Sequence, residues 1–171
     1  MFEFKQFIRE IPDWPKKGIG FKDITPLLQN SVAFKVAVDE LSKPFEDKGI
    51  DMVVGIDARG FILAAAMAYK LGAGLAIVRK KGKLPWRTIS REYALEYASN
   101  TLEMHEDAIQ PGQTILLVDD VLATGGTMAA AVDMVKQLGG SISGLAFLTV
   151  LDFLKGKEKL GGLPIHTLIR Y

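Results

Sequence analysis

Short apolar runs alternate with longer amphipathic stretches along most of this chain. Five runs have the length of buried strands, and we predict strands at Met52–Ile56, Gly74–Val78, Thr114–Val118, Ile142–Leu151 and Ile165–Ile169. The stretches beside them predict helices at Val32–Lys48, Phe61–Leu71 and Thr127–Leu138. Strands and helices that alternate at this spacing predict an α/β domain with a mostly parallel central sheet flanked by helices.

Two regions depart from this alternation. Residues 1–30 are interrupted by prolines and glycines, which predicts a small, extended N-terminal cap over the main body. Residues 80–106 are polar, and basic at first, and such a long insertion in a compact domain is usually functional or disordered. We expect a mobile flap there, made partly of a β-hairpin. No repeat or linker divides the chain, so residues 1–171 are predicted to form a single domain.

Composition narrows the classes of function. With 21 basic and 20 acidic side chains, the net charge of +1 gives no general reason to bind nucleic acid or an anionic membrane. No apolar run approaches the ~20 residues of a membrane span, and the N-terminus lacks a signal peptide, so we expect a cytoplasmic protein. The absence of cysteine excludes disulfides, thiolate catalysis and Cys-ligated zinc. His105 and His166 lie far apart, in no metal-ligand spacing.

The densest chemistry lies in the stretch ILLVDDVLATGGT, residues 115–127. Two adjacent carboxylates repel each other and two glycines weaken regular structure, and both costs point to a ligand. The loop leads directly into a predicted helix, whose N-terminus favours an anion such as phosphate. An ordinary helix start with Thr127 as N-cap would use the same letters. The candidate residues are Asp119, Asp120, Ala123, Thr124, Gly125, Gly126 and Thr127.

Three polar segments should converge beyond the carboxyl ends of the strands, where open parallel sheets bind ligands. They are Asp57–Phe61, Arg79–Lys83 and the paired acids, each of which follows a predicted strand. The Gly-rich patterns of P-loop and dinucleotide sites are absent. Carboxylates ahead of a phosphate loop suit a ribose 5-phosphate, because they accept from the 2- and 3-hydroxyls and favour positive charge on the sugar.

The stretch ILLVDDVLATGGT resembles the phosphoribosyl-diphosphate-binding motif of the type I phosphoribosyltransferases. The resemblance covers nearly the whole chain and narrows to members that act on adenine. Pro12–Pro26 is similar to their base-binding cap, Asp57–Phe61 to their pyrophosphate loop, Arg79–Pro85 to their basic flap and Leu95–Tyr97 to its acidic element.

The resemblance implies transfer of phosphoribosyl from phosphoribosyl diphosphate to adenine, giving AMP and pyrophosphate. It implies Mg²⁺ held through substrate and water without a direct protein ligand, a homodimer in which Arg79 reaches the neighbouring site, and a cis peptide at Asp57–Ala58. Glu96, Asp119 and Asp120 would be catalytic. Pyrophosphate would be bound by Asp57, Ala58, Arg59, Arg79, Lys80 and Lys83. The base would be bound by Gly20, Phe21, Lys22 and Val121.

Plainer interpretations accompany these roles. Phe21 would also suit the core, Arg79–Lys83 a solvated turn, and Glu96 an exposed surface. A transferase for hypoxanthine, guanine or xanthine would use the same sugar site. A receiver-type signalling domain carries its paired acids after its first strand, not 118 residues into the chain. A non-catalytic regulator on the same fold would need a DNA-binding module, and no helix-turn-helix precedes residue 30.

Overall fold

A seven-stranded sheet forms the centre of the computed structural model, which describes residues 2–14, 17, 20–94 and 99–171. The strands are β1 (Arg9–Ile11), β2 (Phe21–Asp23), β3 (Met52–Ile56), β4 (Gly74–Lys80), β5 (Thr88–Ala94), β6 (Ser99–His105), β7 (Thr114–Leu122), β8 (Ser141–Val150) and β9 (Ile165–Arg170). The helices are α1 (Thr25–Gln29), α2 (Ser31–Ser42), α3 (Gly60–Leu71) and α4 (Gly126–Gln137). Short 3-10 turns occupy Phe4–Phe7, Lys43–Phe45, Asp152–Leu154 and Gly156–Leu160.

The order of the central strands is β5-β6-β4-β3-β7-β8-β9. The five strands from β4 to β9 in this order are parallel, and the β5–β6 hairpin is antiparallel and joins the edge of β4. The predicted α/β fold with a mostly parallel sheet is therefore confirmed. Because β3 and β7 are central, the segments that follow them meet at one edge of the sheet.

Two core clusters cover the two faces of this sheet. Val53 and Val54 are neighbours in β3 yet pack into different clusters, because successive side chains of a strand point to opposite faces. The first cluster contains Leu63 of α3 and Leu41 of α2, and the second contains Met134 of α4. Helices α3 and α4 thus lie on opposite faces, and both begin beside the carboxyl ends of the central strands.

Several predicted boundaries were wrong, among them the following three. Strand β7 was expected to end at Val118, but its pairing with β8 continues to Leu122, so the paired acids lie within a strand and not in a loop. Helix α4 begins at Gly126 with Gly125 as its N-cap, which rules out Thr127 in that position. Helix α2 ends at Ser42 and not near Lys48, because Pro44 has no backbone N–H to continue it.

The two irregular regions both contain short antiparallel pairs. In the N-terminal region, β1 pairs with β2, and α1 follows directly. In the region expected to form a flap, β5 and β6 make the expected hairpin, whose mobility stays a prediction. Among the described residues, no helix is both long and apolar enough to cross a membrane.

Candidate functional site

Asp119 and Asp120 lie near the carboxyl end of β7, against the start of α3. Asp119 Oδ1 accepts a hydrogen bond from the backbone N–H of Asp120 at 2.8 Å. A Cβ atom on Gly60 would lie 2.7 Å from the same Oδ1 and 3.1 Å from the Asp119 Cα. Only glycine fits this position without displacing the acid. Gly60 is a site residue that was not predicted individually, although it lies inside the predicted pyrophosphate loop Asp57–Phe61.

Arg59, which immediately precedes α3, links the acids to the N-terminal cap. Its Nη2 lies 2.8 Å from Asp120 Oδ2, and its Nη1 donates to the Lys22 carbonyl oxygen at 3.3 Å. The contact from Nη2 is an ion pair that lacks the alignment of a hydrogen bond. Asp120 Oδ2 is buried and accepts no hydrogen bond from the described residues. The Arg59 guanidinium also lies 4.5 Å from the centre of the Phe21 ring.

Burial perturbs both acids, and repulsion from Asp120 adds to the effect at Asp119. Burial raises the pKa of Asp119 well above its usual value, and the charge of Asp120 raises that pKa further. Burial also raises the pKa of Asp120, while the Arg59 guanidinium opposes that rise. Two desolvated carboxyl groups therefore share one guanidinium. When both are ionised, the site holds excess negative charge and attracts a cationic group.

A cavity of about 70 Å³ opens beside the acids, at the N-terminus of α4. Its lining consists of Asp119, Val121, Leu122, Ala123, Thr124, Gly125, Thr127 and Met128. Backbone N–H groups at a helix N-terminus lack intrahelical partners, and the helix dipole favours negative charge there. The cavity thus combines donors for an anion with one carboxylate. Leu122 and Met128 were not predicted, and Gly126 is the buried first residue of α4 and not a lining residue.

Backbone contact fixes the loop that lines this cavity. Gly125 has φ +79°, and a Cβ atom there would lie 2.2 Å from the carbonyl oxygen of Gly156. A Cβ atom on Gly156 would lie 2.1 Å from the carbonyl oxygen of Ala123. The two glycines let the loop and the segment after β8 touch directly. The sequence does not indicate a role for Gly156, because a single glycine in a lysine-rich stretch carries no recognisable pattern.

The residues assigned to pyrophosphate form a second group at the ends of β3 and β4. The peptide between Asp57 and Ala58 is cis, as expected. Arg79 donates from Nε to Asp57 Oδ2 at 2.9 Å and from Nη1 to the Lys83 carbonyl oxygen at 3.2 Å. The Lys80 and Lys83 side chains are exposed. Arg59 was assigned to the same group, but its contacts lead to Asp120 and the cap.

The residues assigned to the base lie mostly on β2. Phe21 is partly exposed, belongs to neither core cluster and meets the edge of the Trp14 ring at 4.4 Å between centroids, so it is not a core residue. Lys22 forms an ion pair with Glu10, and its Nζ lies 4.1 Å from the centre of the Tyr171 ring. Gly20 is exposed. Trp14 was not predicted, and Glu96 lies outside the described residues.

Within the described residues, no group of three or more His, Cys, Asp or Glu side chains has the arrangement of a metal site. The acids of β7 offer hard carboxylate oxygens, which suit Mg²⁺ when substrate phosphates supply further ligands.

Comparison with known proteins decides the family. The profile of the phosphoribosyl transferase domain matches residues 27–159. An adenine phosphoribosyltransferase from Thermotoga neapolitana is 57% identical over 169 residues, which cover 99% of each chain. The crystal structure of adenine phosphoribosyltransferase from Rhodothermus marinus is similar with a TM-score of 0.95 and 47% identity, covering 98% of this chain and 96% of that one. This chain belongs to the adenine phosphoribosyltransferase family.

A further structure of this family was solved with ligands. Adenine phosphoribosyltransferase from Saccharomyces cerevisiae, complexed with D-2,5-dideoxy-2,5-imino-altritol 1,6-bisphosphate and adenine, is similar with a TM-score of 0.91 and 38% identity over 96% of this chain and 95% of that one. The phosphoribosyl transferase profile includes α3, β7, α4 and the cavity, whereas β1 and β2 of the cap precede it. The family resemblance inferred from residues 115–127 is therefore confirmed.

Proposed function

We propose that this protein transfers the phosphoribosyl group of phosphoribosyl diphosphate to adenine and releases AMP and pyrophosphate. The paired acids at the mouth of the cavity carry the proposal. They combine perturbed carboxyl groups with an anion site at the start of α4, in a chain that is similar over its full length to adenine phosphoribosyltransferases. The enzyme is a glycosyltransferase of the pentosyltransferase type.

The acids have two roles in this proposal. Their oxygens accept hydrogen bonds from the ribose 2- and 3-hydroxyls, which orients the sugar. As the bond to pyrophosphate breaks, positive charge develops at the anomeric carbon, and the two carboxylates stabilise that charge. Desolvation strengthens this stabilisation, because charges interact more strongly where water is excluded. Asp119 lines the cavity directly, and Asp120 lies next to Arg59.

The 5-phosphate of the sugar occupies the cavity at the start of α4. Thr124 and Thr127 line it and offer hydroxyl donors, while Ala123 and Gly125 line it with their backbone, and Gly126 follows as the first residue of α4. The contact between Gly125 and Gly156 keeps this loop in position before the substrate arrives. The bound phosphate therefore anchors the sugar so that the ribose ring lies over Asp119 and Asp120.

The leaving pyrophosphate faces the ends of β3 and β4. Arg79, Lys80 and Lys83 supply positive charge there, next to the Asp57–Ala58 turn. Arg59 now pairs with Asp120, and the ribose hydroxyls compete for the same carboxylate. Sugar binding thus frees Arg59 to turn towards the pyrophosphate, which matches its predicted role.

The base binds against the cap. Adenine stacks on the Phe21 ring, and its exocyclic amine donates to the Lys22 carbonyl oxygen, the acceptor that Arg59 Nη1 uses in this structure. Gly20 and Val121 complete the base site, and Glu96 accepts the proton released when the base nitrogen attacks. A carbonyl oxygen at the 6-position, as in hypoxanthine or guanine, cannot donate to Lys22. The Lys22 acceptor therefore favours adenine over the oxopurines.

Mg²⁺ is proposed to enter with the substrate. It would be held by phosphate oxygens and, through water, by Asp119 and Asp120, and it would neutralise charge on the leaving group. The hairpin of β5 and β6 is proposed to close over the bound substrates as a flap, which excludes water from the activated sugar. Slower hydrogen exchange of residues 81–91 in the presence of pyrophosphate would support closure, and equal exchange would contradict it.

A homodimer is proposed from an exposed apolar face. Ile62 and Tyr69 lie two turns apart on α3, with 42% and 92% of their surface exposed, and Leu75 of the neighbouring β4 is 45% exposed. Burial against a second copy would cover this face and bring Arg79 towards the partner site. Light scattering of the wild type and of an Ile62→Lys, Tyr69→Lys variant tests it: a monomeric wild type would refute the dimer.

The cytoplasmic location stays a prediction.

The decisive assay measures AMP and pyrophosphate after incubation with phosphoribosyl diphosphate, Mg²⁺ and one purine at a time. We expect kcat/KM for adenine to exceed that for hypoxanthine, guanine or xanthine by at least about 10³, because an acceptor left unpaired penalises the wrong base. Equal turnover of an oxopurine would refute the proposed selectivity for adenine. No turnover of any purine would refute the transferase assignment.

A further inference from the structure

A carboxylate outside the proposed chemistry lies beneath the basic turn at residues 80–83. Glu103 of β6 is only 8% exposed, which is unusual for a charged side chain. Its Oε2 accepts a hydrogen bond from the backbone N–H of Gly82 at 2.8 Å. Across the sheet, its register partner is Arg79 of β4. The buried carboxylate thus joins the hairpin to the turn that carries the pyrophosphate-binding cations.

The turn has a backbone shape that needs outside support. Gly82 has φ +77°, and Lys83 donates its backbone N–H to the Lys80 carbonyl oxygen at 3.2 Å. Lys81 is tied to β6 by a backbone hydrogen bond to Thr101 at 3.0 Å. Glu103 supplies the next attachment, at the tip of the turn. A charge-assisted bond of this kind is stronger than one between neutral groups.

Displacement of the turn would reach the pyrophosphate loop. Arg79 Nη1 donates to the Lys83 carbonyl oxygen, and Arg79 Nε donates to Asp57. The hydrogen bonds therefore run from Glu103 through the turn to Arg79 and on to the Asp57–Ala58 peptide. A shift at Gly82 would change where Lys83 points and what holds Arg79.

We infer that Glu103 is a positioning residue. Its carboxylate holds the turn Lys80–Lys83 so that the cationic side chains of the turn face the leaving pyrophosphate. This inference rests on the proposed transferase function. Glu103 does not touch the substrate and acts through Gly82 and Arg79.

Electrostatics and positioning predict opposite signs for the loss of this carboxylate. A negative charge beneath an anion site repels pyrophosphate, so removal of the charge alone should leave binding unchanged or make it tighter. Loss of the hydrogen bond to Gly82 should instead loosen the turn and weaken binding. Variants that separate charge from hydrogen-bonding capacity therefore distinguish the two effects.

The test uses calorimetric binding of inorganic pyrophosphate in the presence of Mg²⁺. Glu103→Met keeps the size of the side chain and removes the acceptor, and we expect about tenfold weaker pyrophosphate binding. Glu103→Gln removes the charge and keeps an acceptor, and its affinity should stay within about twofold of wild type. Glu106→Ala, which removes an exposed carboxylate from the same hairpin end, is the matched control and should bind as wild type does. The KM for phosphoribosyl diphosphate should follow the same order, with the KM for adenine unchanged.

Equal or tighter pyrophosphate binding by a folded Glu103→Met variant would overturn the inference. Equal loss in the Met and Gln variants would also overturn it, because the hydrogen bond to Gly82 would not be the cause. Gly82→Ala alters the same turn from its other side, at a φ that alanine rarely adopts, and should reproduce the loss if Glu103→Met fails to fold. If the wild type makes no AMP but the order of pyrophosphate affinities holds, the proposed reaction fails while the positioning role stands.

Discussion

The proposed phosphate loop and the proposed base-binding cap are held in place by different means. The loop Ala123–Thr127 is one short run of sequence, fixed by β7, by the start of α4 and by direct backbone contact with Gly156. The cap is held by side chains that are distant in the sequence. Arg59 contacts Lys22 and Phe21, and the Tyr171 ring lies over the Lys22 ammonium. The loop is thus positioned by backbone, and the cap largely by side chains.

This difference divides the proposed chemistry. Phosphoribosyl diphosphate brings the same sugar phosphate to the reaction whichever base accepts it, and a backbone cradle suits a group that never changes. The choice of base rests on a few groups held by adjustable side chains. Changes at the loop should therefore impair all turnover, whereas changes at the cap should mainly alter the affinity for the base.

The largest effect should follow loss of charge at the loop side. Asp119→Asn or Asp120→Asn keeps the shape and most of the hydrogen-bonding capacity but removes a carboxylate that favours positive charge on the sugar. We expect kcat to fall on the order of 10² to 10³ for each change, which corresponds to roughly 3 to 4 kcal/mol of barrier. Steady-state assays of AMP formation measure it. Melting temperatures should hold or rise, since the repulsion between the acids disappears.

A loss of stability without a loss of turnover would contradict the proposed role of the two acids. A double variant that unfolds easily yet keeps near-normal turnover at low temperature would make the acids structural, and the sugar-binding role would be wrong.

The second effect concerns the backbone contact behind the loop. Gly156→Ala places a methyl group 2.1 Å from the Ala123 carbonyl oxygen, so the loop or the segment at Gly156 must move. Because a displacement of about 1 Å can cost on the order of 10² in rate, we expect a loss of that size in kcat/KM for phosphoribosyl diphosphate. Gly161→Asn is the control, since Gly161 has φ +60° and open space, and asparagine tolerates this conformation. Equal activity of both variants would show that the loop does not depend on Gly156.

The same contrast explains what the sequence could predict. Residues 115–127 gave the loop, the acids and the helix, because consecutive residues carry the pattern. The end of β7 was misplaced because two charges normally end a buried strand, whereas here Arg59 offsets them and the pairing with β8 continues. Gly156 could not be found, because its role depends on which distant carbonyl oxygen lies against it.

The cap shows the same limit from the other side. Phe21 and Lys22 were assigned to the base through a resemblance, but nothing in the sequence indicates that Arg59 contacts both. A contact between residues 37 positions apart depends on how the cap lies on the domain.

The third effect should separate the cap from the loop. Phe21→Leu removes the ring on which the base is proposed to stack and keeps an apolar side chain. We expect the KM for adenine to rise about tenfold, since stacking of a base on an aromatic ring contributes roughly 1 to 3 kcal/mol. The KM for phosphoribosyl diphosphate and the melting temperature should change little. Initial rates with each substrate varied in turn measure both KM values, and an equal rise in the two would show that cap and loop act as one unit.

The smallest effect is a dependence of stability on pH that belongs to the loop side alone. Burial raises the folded pKa of Asp119 and of Asp120. An acid of this kind stabilises the fold fully below its unfolded pKa of about 3.9 and loses that contribution as pH rises through its folded pKa. The free energy of unfolding should therefore decline above about pH 4 by at most about 1.4 kcal/mol per pH unit for one group, and the melting temperature should fall with it. Asp23 has a lowered pKa, so its contribution changes below this window and does not mask the decline.

Asp119→Asn should show a shallower decline than wild type, because asparagine cannot ionise, whereas Phe21→Leu should follow the wild-type curve. Thermal melts from about pH 4 to about pH 8 test this, and parallel curves for all three proteins would mean that the acids are not perturbed in the ligand-free fold.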